Sequence, residues 1–201
     1  MKVIVIGATG TIGKAVAAAL ARSHEVVAVS RNGPVKADLL EPASVSRLFE
    51  AVKDVDAVVC CAGGAAWKPL PELSDDDFQA SLRNKLMGQV NLARTAMQHV
   101  RDGGSITLTS GVLAHEPMAG GAAVSLVNAA LEGFVRAAAL ELPRGLRVNV
   151  VSPPWMTETL AAMNMRGVDG IPAAECAKAY VAAVEGRDNG ETIDARANAG
   201  K

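Results

Sequence analysis

Met1-Lys2-Val3-Ile4-Val5-Ile6-Gly7-Ala8-Thr9-Gly10-Thr11-Ile12-Gly13 decides the fold. Lys2–Ile6 is a short apolar run rich in β-branched residues, the composition of a buried strand. Glycines then recur at every third position, and an Ala/Leu-rich stretch of helical character follows. Glycine lets the backbone turn sharply and approach a ligand, while a helix N-terminus offers free N–H groups and the positive end of its dipole. A glycine turn joining the first strand to the first helix is therefore the expected pyrophosphate cradle of a dinucleotide-binding fold. Gly7, Thr9, Gly10, Thr11, Ile12 and Gly13 are its candidate contacts. The alternative is a tight turn that holds no ligand.

Further along the chain, short Val/Ile-rich runs recur at 25–29, 57–61, 105–109, 147–151 and 191–193. Between them lie segments of helical length and composition at 11–22, 44–52, 75–100, 121–142 and 173–185. Continuous apolar strands alternating with helices predict a parallel sheet covered on both faces, with right-handed crossovers. The expected architecture is α/β: a Rossmann-type doubly wound parallel sheet in one three-layer α/β/α domain spanning residues 1–201. Nothing in this pattern leaves room for a separate substrate domain, so the substrate site has to come from loops at the strand C-termini.

Half of the 201 residues are apolar, enough for a sizeable core, and 20 Lys/Arg stand against 21 Asp/Glu. So balanced a charge implies neither a nucleic-acid nor a membrane partner. The three cysteines, two of them adjacent at Cys60 and Cys61, cannot build a disulfide framework, which points to a reducing cytoplasm. The opening apolar run is too short for a signal segment and stops at a glycine turn. No metal-ligand set stands out.

The end of the second strand carries the residue that reads the adenosine ribose. An NAD site wants a carboxylate there; this chain has Ser30 followed by Arg31. A guanidinium can grip a 2′-phosphate bidentately with no acid nearby to repel it, which favours NADP(H). Arg31 as a solvated loop residue is the competing reading. Asp38 and Leu39 are placed to meet the adenine, although Asp38 is equally well read as a solvated turn residue.

The ordered set of motifs resembles the short-chain dehydrogenase/reductase superfamily over nearly the whole chain. Cys60-Cys61-Ala62-Gly63 stands where that family has Asn-Asn-Ala-Gly, which implies that Cys61, Ala62 and Gly63 pass close to the cofactor. Asn84, in Arg83-Asn84-Lys85-Leu86-Met87-Gly88, matches the family's helix-four Asn, and Ser110, in Leu108-Thr109-Ser110-Gly111, its catalytic Ser. Arg147-Val148-Asn149-Val150-Val151-Ser152-Pro153 resembles the segment leading to the nicotinamide loop, and Gly190-Glu191-Thr192-Ile193-Asp194 the last strand. Pro153 and Thr157 are thereby implied as cofactor contacts, with Thr159 an alternative to Thr157.

The chain also departs from the family pattern. Its glycine spacing is that of atypical and extended branches, and Pro154 replaces a Gly in the nicotinamide loop. Above all, the family's Tyr-x-x-x-Lys pair falls on Val124 and Asn128 in Gly121-Ala122-Ala123-Val124-Ser125-Leu126-Val127-Asn128. Val carries no transferable proton and Asn no charge. This resembles the small bacterial subgroup that lacks the pair. The only tyrosine, Tyr180, falls on a late helix as a packing residue.

Two function classes follow. One is an oxidoreductase moving hydride between NADPH and a small carbonyl or alcohol, with Ser110, Asn84 and an unidentified acid serving the degenerate site. The other is a non-catalytic NADP(H)-binding redox sensor or partner subunit. Lys85 reads first as a solvated helix lysine and His115 and Glu116 as a solvated loop pair, although that pair could supply a proton and His115 and Lys85 are the first residues to test for a substitute acid; Trp67 and Trp155 read as lid, core or substrate-platform aromatics. The long helices at 75–100 and 121–142 are apolar on more than one face, from which a homodimer or homotetramer is expected, with Leu92 and Phe134 as outward apolar sites.

Overall fold

A computed structural model describes residues 1–198. The chain runs β1 (Lys2–Ile6), α1 (Thr11–Leu20), β2 (Glu25–Ser30), β3 (Val35–Lys36), α2 (Pro42–Ala51), β4 (Val55–Cys60), α3 (Asp75–Ser81), α4 (Gly88–His99), β5 (Val100–Thr109), α5 (Ala122–Ala138), β6 (Arg147–Ser152), β7 (Trp155–Met156), α6 (Thr157–Ala162), β8 (Gly170–Ile171), α7 (Ala173–Glu185) and β9 (Thr192–Asp194). Seven strands form one parallel sheet in the order β3-β2-β1-β4-β5-β6-β9. This is the expected Rossmann-type α/β architecture.

Alternation along the strands builds two cores. Ile4 and Ile6 of β1 pack with Phe49 of α2, Leu92 of α4 and Leu131 of α5 on one face. Val3 and Val5 join Val16 of α1 and Tyr180 of α7 on the other. Because the strand order reverses between β1 and β4, a crevice opens beyond their C-terminal ends, where ligands bind in such sheets. Backbone bonds pin the loops there: Gly7 N–H donates to the Val29 carbonyl at 2.9 Å and Cys61 N–H to the Ile6 carbonyl at 2.8 Å.

Three features depart from the sequence expectation. The helix expected over 75–100 is interrupted at Leu82–Met87 by a wide π-helical turn between α3 and α4. Leu92, expected to point outward, is fully buried, because the face of α4 that bears it lies on the sheet. Beyond β6, the short strands β7 and β8 pair separately around α6. No helix among the described residues is long and apolar enough to cross a membrane.

Candidate active site

The glycine turn closes tightly against the loop after β4. Gly7 has φ +83°, and a Cβ there would lie 2.9 Å from the Cys61 carbonyl. Gly13, buried in the first turn of α1, carries no side chain because a Cβ would overlap the Gly7 carbonyl oxygen. The start of α1 has no capping side chain and no acidic residue in its first turn. Its N-terminal N–H groups are thus open to an anion.

In front of that helix end lies a cavity of about 400 Å³ bounded by Gly7, Thr9 and Gly10 on one side and by Ser30, Arg31, Asp38 and Leu39 on the other. Arg31 is exposed at its rim and makes no ion pair among the described residues. The Asp38 carboxylate accepts from its neighbour Leu40 N–H at 3.0 Å, a local turn bond. Cys61, Ala62 and Gly63 line this cavity and also a second one of about 490 Å³, so the two adjoin along that loop. The second is further lined by Ile12, Ser110, Val124, Asn128 and Pro153. Of the residues singled out from the sequence, Thr11 lies outside both cavities and Gly13 beneath the turn. Thr157 is a correction. It is the exposed first residue of α6, its hydroxyl bonded to Glu158 at 3.2 Å. Thr159, two helical positions on and so on the opposite side of α6, lines the second cavity instead.

The second cavity opens to a third, of about 520 Å³, with Val112, Leu113, Pro154 and Trp155 common to both. At the junction Trp67 and Trp155 meet edge to face, ring centroids 5.5 Å apart and planes at 75°. The loop that bears Trp67 and the start of β7 at Trp155 are thereby held together.

Ser110, at the end of β5, is fixed from both sides. Its backbone N–H donates to the Val151 carbonyl, and the buried Gln89 of α4 exchanges two hydrogen bonds with the backbone of the preceding Thr109, at 2.8 and 2.9 Å. The Ser110 hydroxyl donates to Glu132 Oε1 at 3.0 Å, and Glu132 Oε2 lies 2.6 Å from His115 Nε2. His115 is therefore tied to the site by its ring, while Glu116 pairs with Arg196. Glu132 is 2 % exposed. It continues the stripe of Val124 and Asn128 along α5 at the four-residue spacing. Sequence reading passed over it, although extending that stripe by one turn reaches it.

Asn128 donates through Nδ2 to the Gly111 carbonyl at 3.2 Å, and its Oδ1 is buried without a hydrogen-bond partner. Asn84 Oδ1 accepts from Gly64 N–H at 3.0 Å, and its side chain lines the first cavity, not the second. Lys85 contradicts its first reading as a solvated lysine. The wide turn aims it into the second cavity, partly buried, where its ammonium donates to the Ser110 carbonyl at 2.9 Å. Removal from water holds its pKa down to about 8. Tyr180 lies behind the cavity wall. Thr109 gives its hydroxyl proton to the Cys60 carbonyl, so the buried Tyr180 hydroxyl, 2.8 Å away, donates to Thr109. Burial pushes the Cys61 thiol and the Tyr180 hydroxyl well up.

Comparison with known proteins places the fold in a family. The family model described as enoyl-(acyl carrier protein) reductase matches residues 2–192. A hydroxynaphthalene reductase-like protein, Arp2 of Metarhizium brunneum, is 30% identical, the match covering 89% of this chain and 79% of the relative. Among solved structures, protein lin1944 of Listeria innocua superimposes with a TM-score of 0.93 at 36% identity, over 96% of this chain and 98% of that one. A small-chain dehydrogenase in complex with NADPH does so with a TM-score of 0.85 at 27% identity, over 96% and 95%.

Proposed function

Since the chain belongs to the short-chain dehydrogenase/reductase superfamily of oxidoreductases, we propose that it binds NADP(H) and transfers hydride between that cofactor and a small carbonyl or alcohol. One observation carries the reading: two cavities adjoining at Cys61, Ala62 and Gly63 extend from the bare N-terminus of α1 and Arg31 to Ser110. The residues suit the cofactor. The uncapped helix end would take the pyrophosphate, Arg31 the 2′-phosphate, and Asp38 and Leu39 the adenosine. Cys61, Ala62, Gly63, Pro153 and Thr159 would surround the nicotinamide. A bound nicotinamide supplies the hydride; the protein has to orient the substrate and manage a proton.

In this reading the positions of Val124 and Asn128 supply no acid, Ser110 stands beside the substrate oxygen with its own proton directed to Glu132, and Asn84 braces Gly64. Trp67 and Trp155 would form an apolar rim around a small substrate. The whole chain acts as one cofactor-binding domain. NADPH should bind at least several-fold more tightly than NADH, and Arg31→Glu should reverse the order, measured by calorimetry. Equal affinities before and after the change would remove the NADP(H) assignment. Tight NADPH binding with no turnover across a panel of ketones, aldehydes and alcohols would instead favour the second reading, a cofactor-binding sensor or partner subunit, which the loss of the α5 pair supports.

A further inference from the structure

We propose that Lys85 is the proton donor of this site, its ammonium reaching the second cavity from the wide turn ahead of α4 in place of a donor at Val124 on α5. The inference rests on the reading of the two adjoining cavities as an NADP(H) and carbonyl site. Several independent features carry it. Among the residues lining the cavity, only Lys85 and Cys61 have ionisable side chains. Of the three hydroxyls in the wall, Thr109 is committed to the Cys60 carbonyl and Ser110 to Glu132, and the third, on Thr159, is a neutral alcohol too weakly acidic to be the donor. Lys85 is thus the one cation in the wall.

Its place there is built. Gly63 leaves the room it needs, since a Cβ on Gly63 would stand 3.1 Å from Lys85 Cα and 3.2 Å from its Cγ. The π turn widens the helix at Leu82–Met87, a distortion that recurs at functional sites, and redirects the side chain. One ammonium hydrogen goes to the Ser110 carbonyl, which leaves two for a ligand. Asn128 donates to the adjoining Gly111 carbonyl, so the two side chains reach successive carbonyls of one loop from opposite helices. The ammonium forms no ion pair among the described residues. Of the groups facing it, Cys60 at the end of β4 stays a thiol, its pKa pushed up to about 12, and burial raises Cys61 as well. The Glu132 carboxylate of α5 is taken by Ser110 and His115.

In the reducing direction the carbonyl carbon gains the hydride and the C=O π pair moves onto oxygen. That oxygen forms an O–H bond as the Lys85 Nζ–H bond breaks. The neutral amine left behind regains a proton from water, and oxidation runs the same steps backwards. A cation beside the oxygen also stabilises the charge that builds there. A donor whose pKa lies near 8 is protonated at neutral pH yet able to release its proton.

The test combines Lys85→Met and Lys85→Arg with three readouts: NADPH affinity by calorimetry, turnover against pH, and the ¹³Cε resonances of lysine-labelled protein against pH. Both variants should bind NADPH within about threefold of the unmodified protein and lose about 10²–10⁴-fold in turnover. Arginine keeps the charge but cannot surrender a proton, so it keeps the experiment readable if the methionine variant does not fold. A resonance missing from the Lys85→Arg spectrum should titrate near pH 8, and the same midpoint should mark the alkaline limb of reduction. With NADPH binding intact, undiminished turnover in either variant, or a Lys85 midpoint at the ordinary value of about 10.4, would overturn the assignment of Lys85 alone. Failure of the unmodified protein to bind NADPH would overturn the reading of the two cavities. Binding without any turnover would overturn the hydride reading and Lys85 with it.

Discussion

Two cations cannot comfortably share the wall that Lys85 occupies, and this sets what a substitution on α5 can achieve. Asn128 and Lys85 reach neighbouring carbonyls, at Gly111 and Ser110. Installing the family pair by Val124→Tyr with Asn128→Lys therefore places a second ammonium near the first, and like charges disfavour each other's charged form. We expect the double variant to gain little and the triple variant with Lys85→Met to recover more, by about tenfold or above in turnover, because only there can the new lysine lower the tyrosine's pKa. A double variant that outperforms the triple would show that the two sites do not compete. At Gly13 the constraint is steric, since any side chain meets the Gly7 carbonyl. Gly13→Ala should cost roughly 1–3 kcal/mol in urea unfolding and weaken NADPH binding, because the turn itself has to shift. The glycines were legible because their role is local. Lys85 was legible only as a residue to test for a substitute acid, and its solvated reading came first: consecutive helical residues project about 100° apart, and the extra residue in one turn changes which cavity Asn84 and Lys85 each face.

At the scale of elements, the end of β5 depends on α4. Gln89 is fully buried and satisfies both the N–H and the carbonyl of Thr109, at the position where the strand leaves the sheet and delivers Ser110. Gln89→Leu fills the same space but strands two buried backbone groups, each worth about 1–3 kcal/mol when left unpaired. Unfolding midpoints in urea should fall accordingly, and substrate KM should rise as Ser110 loses its fixed position. An unchanged midpoint would mean that water replaces the amide. Periodicity placed helix over 75–100 correctly in type but could not reveal the π turn. An insertion that leaves apolar residues on both sides in helical register looks like uninterrupted helix. The short strands β7 and β8 escaped for another reason: two residues each give no period to read.

Over the whole molecule, Lys85 makes stability depend on pH with a definite sign. Its folded pKa, about 8, lies below that of an unfolded lysine, about 10.4. Between those values the unfolded chain binds more protons, so stability contributed through this residue rises with pH. Cys60, raised to about 12, acts oppositely above pH 9 but is common to both proteins compared. Unmodified protein should gain urea stability relative to Lys85→Met between pH 8 and pH 10; a constant difference would show that Lys85 titrates normally. Assembly is tested separately. Phe134, Met97, Ala138 and Leu142 line an apolar groove of about 400 Å³ between α4 and α5. If that surface joins copies of the chain into a dimer or tetramer, Phe134→Glu should yield a smaller species in sedimentation with unchanged circular dichroism. An unmodified protein that sediments as a monomer at micromolar concentration would rule the association out.

What the sequence by itself determined is what short-range physics encodes. A β-branched run, a glycine turn and an uncapped helix start are contiguous in Lys2–Leu20, and together with the strand-helix alternation that follows they predict the α/β fold observed and a candidate anion site at the first turn. The resemblance that sets Val124 and Asn128 at the positions of a tyrosine and a lysine was likewise read from the sequence alone, and neither side chain carries a transferable proton or a charge. Only the tertiary structure decided what stands in that space. Glu132, His115 and Ser110 come from a helix, a loop and a strand end, and Lys85 from a second helix, 25 residues before the carbonyl it holds. Their convergence depends on crossovers that return each element to the same edge of the sheet. The lowered basicity of Lys85 depends on the removal of water by all of them together, a property of the packed cavity and not of any segment.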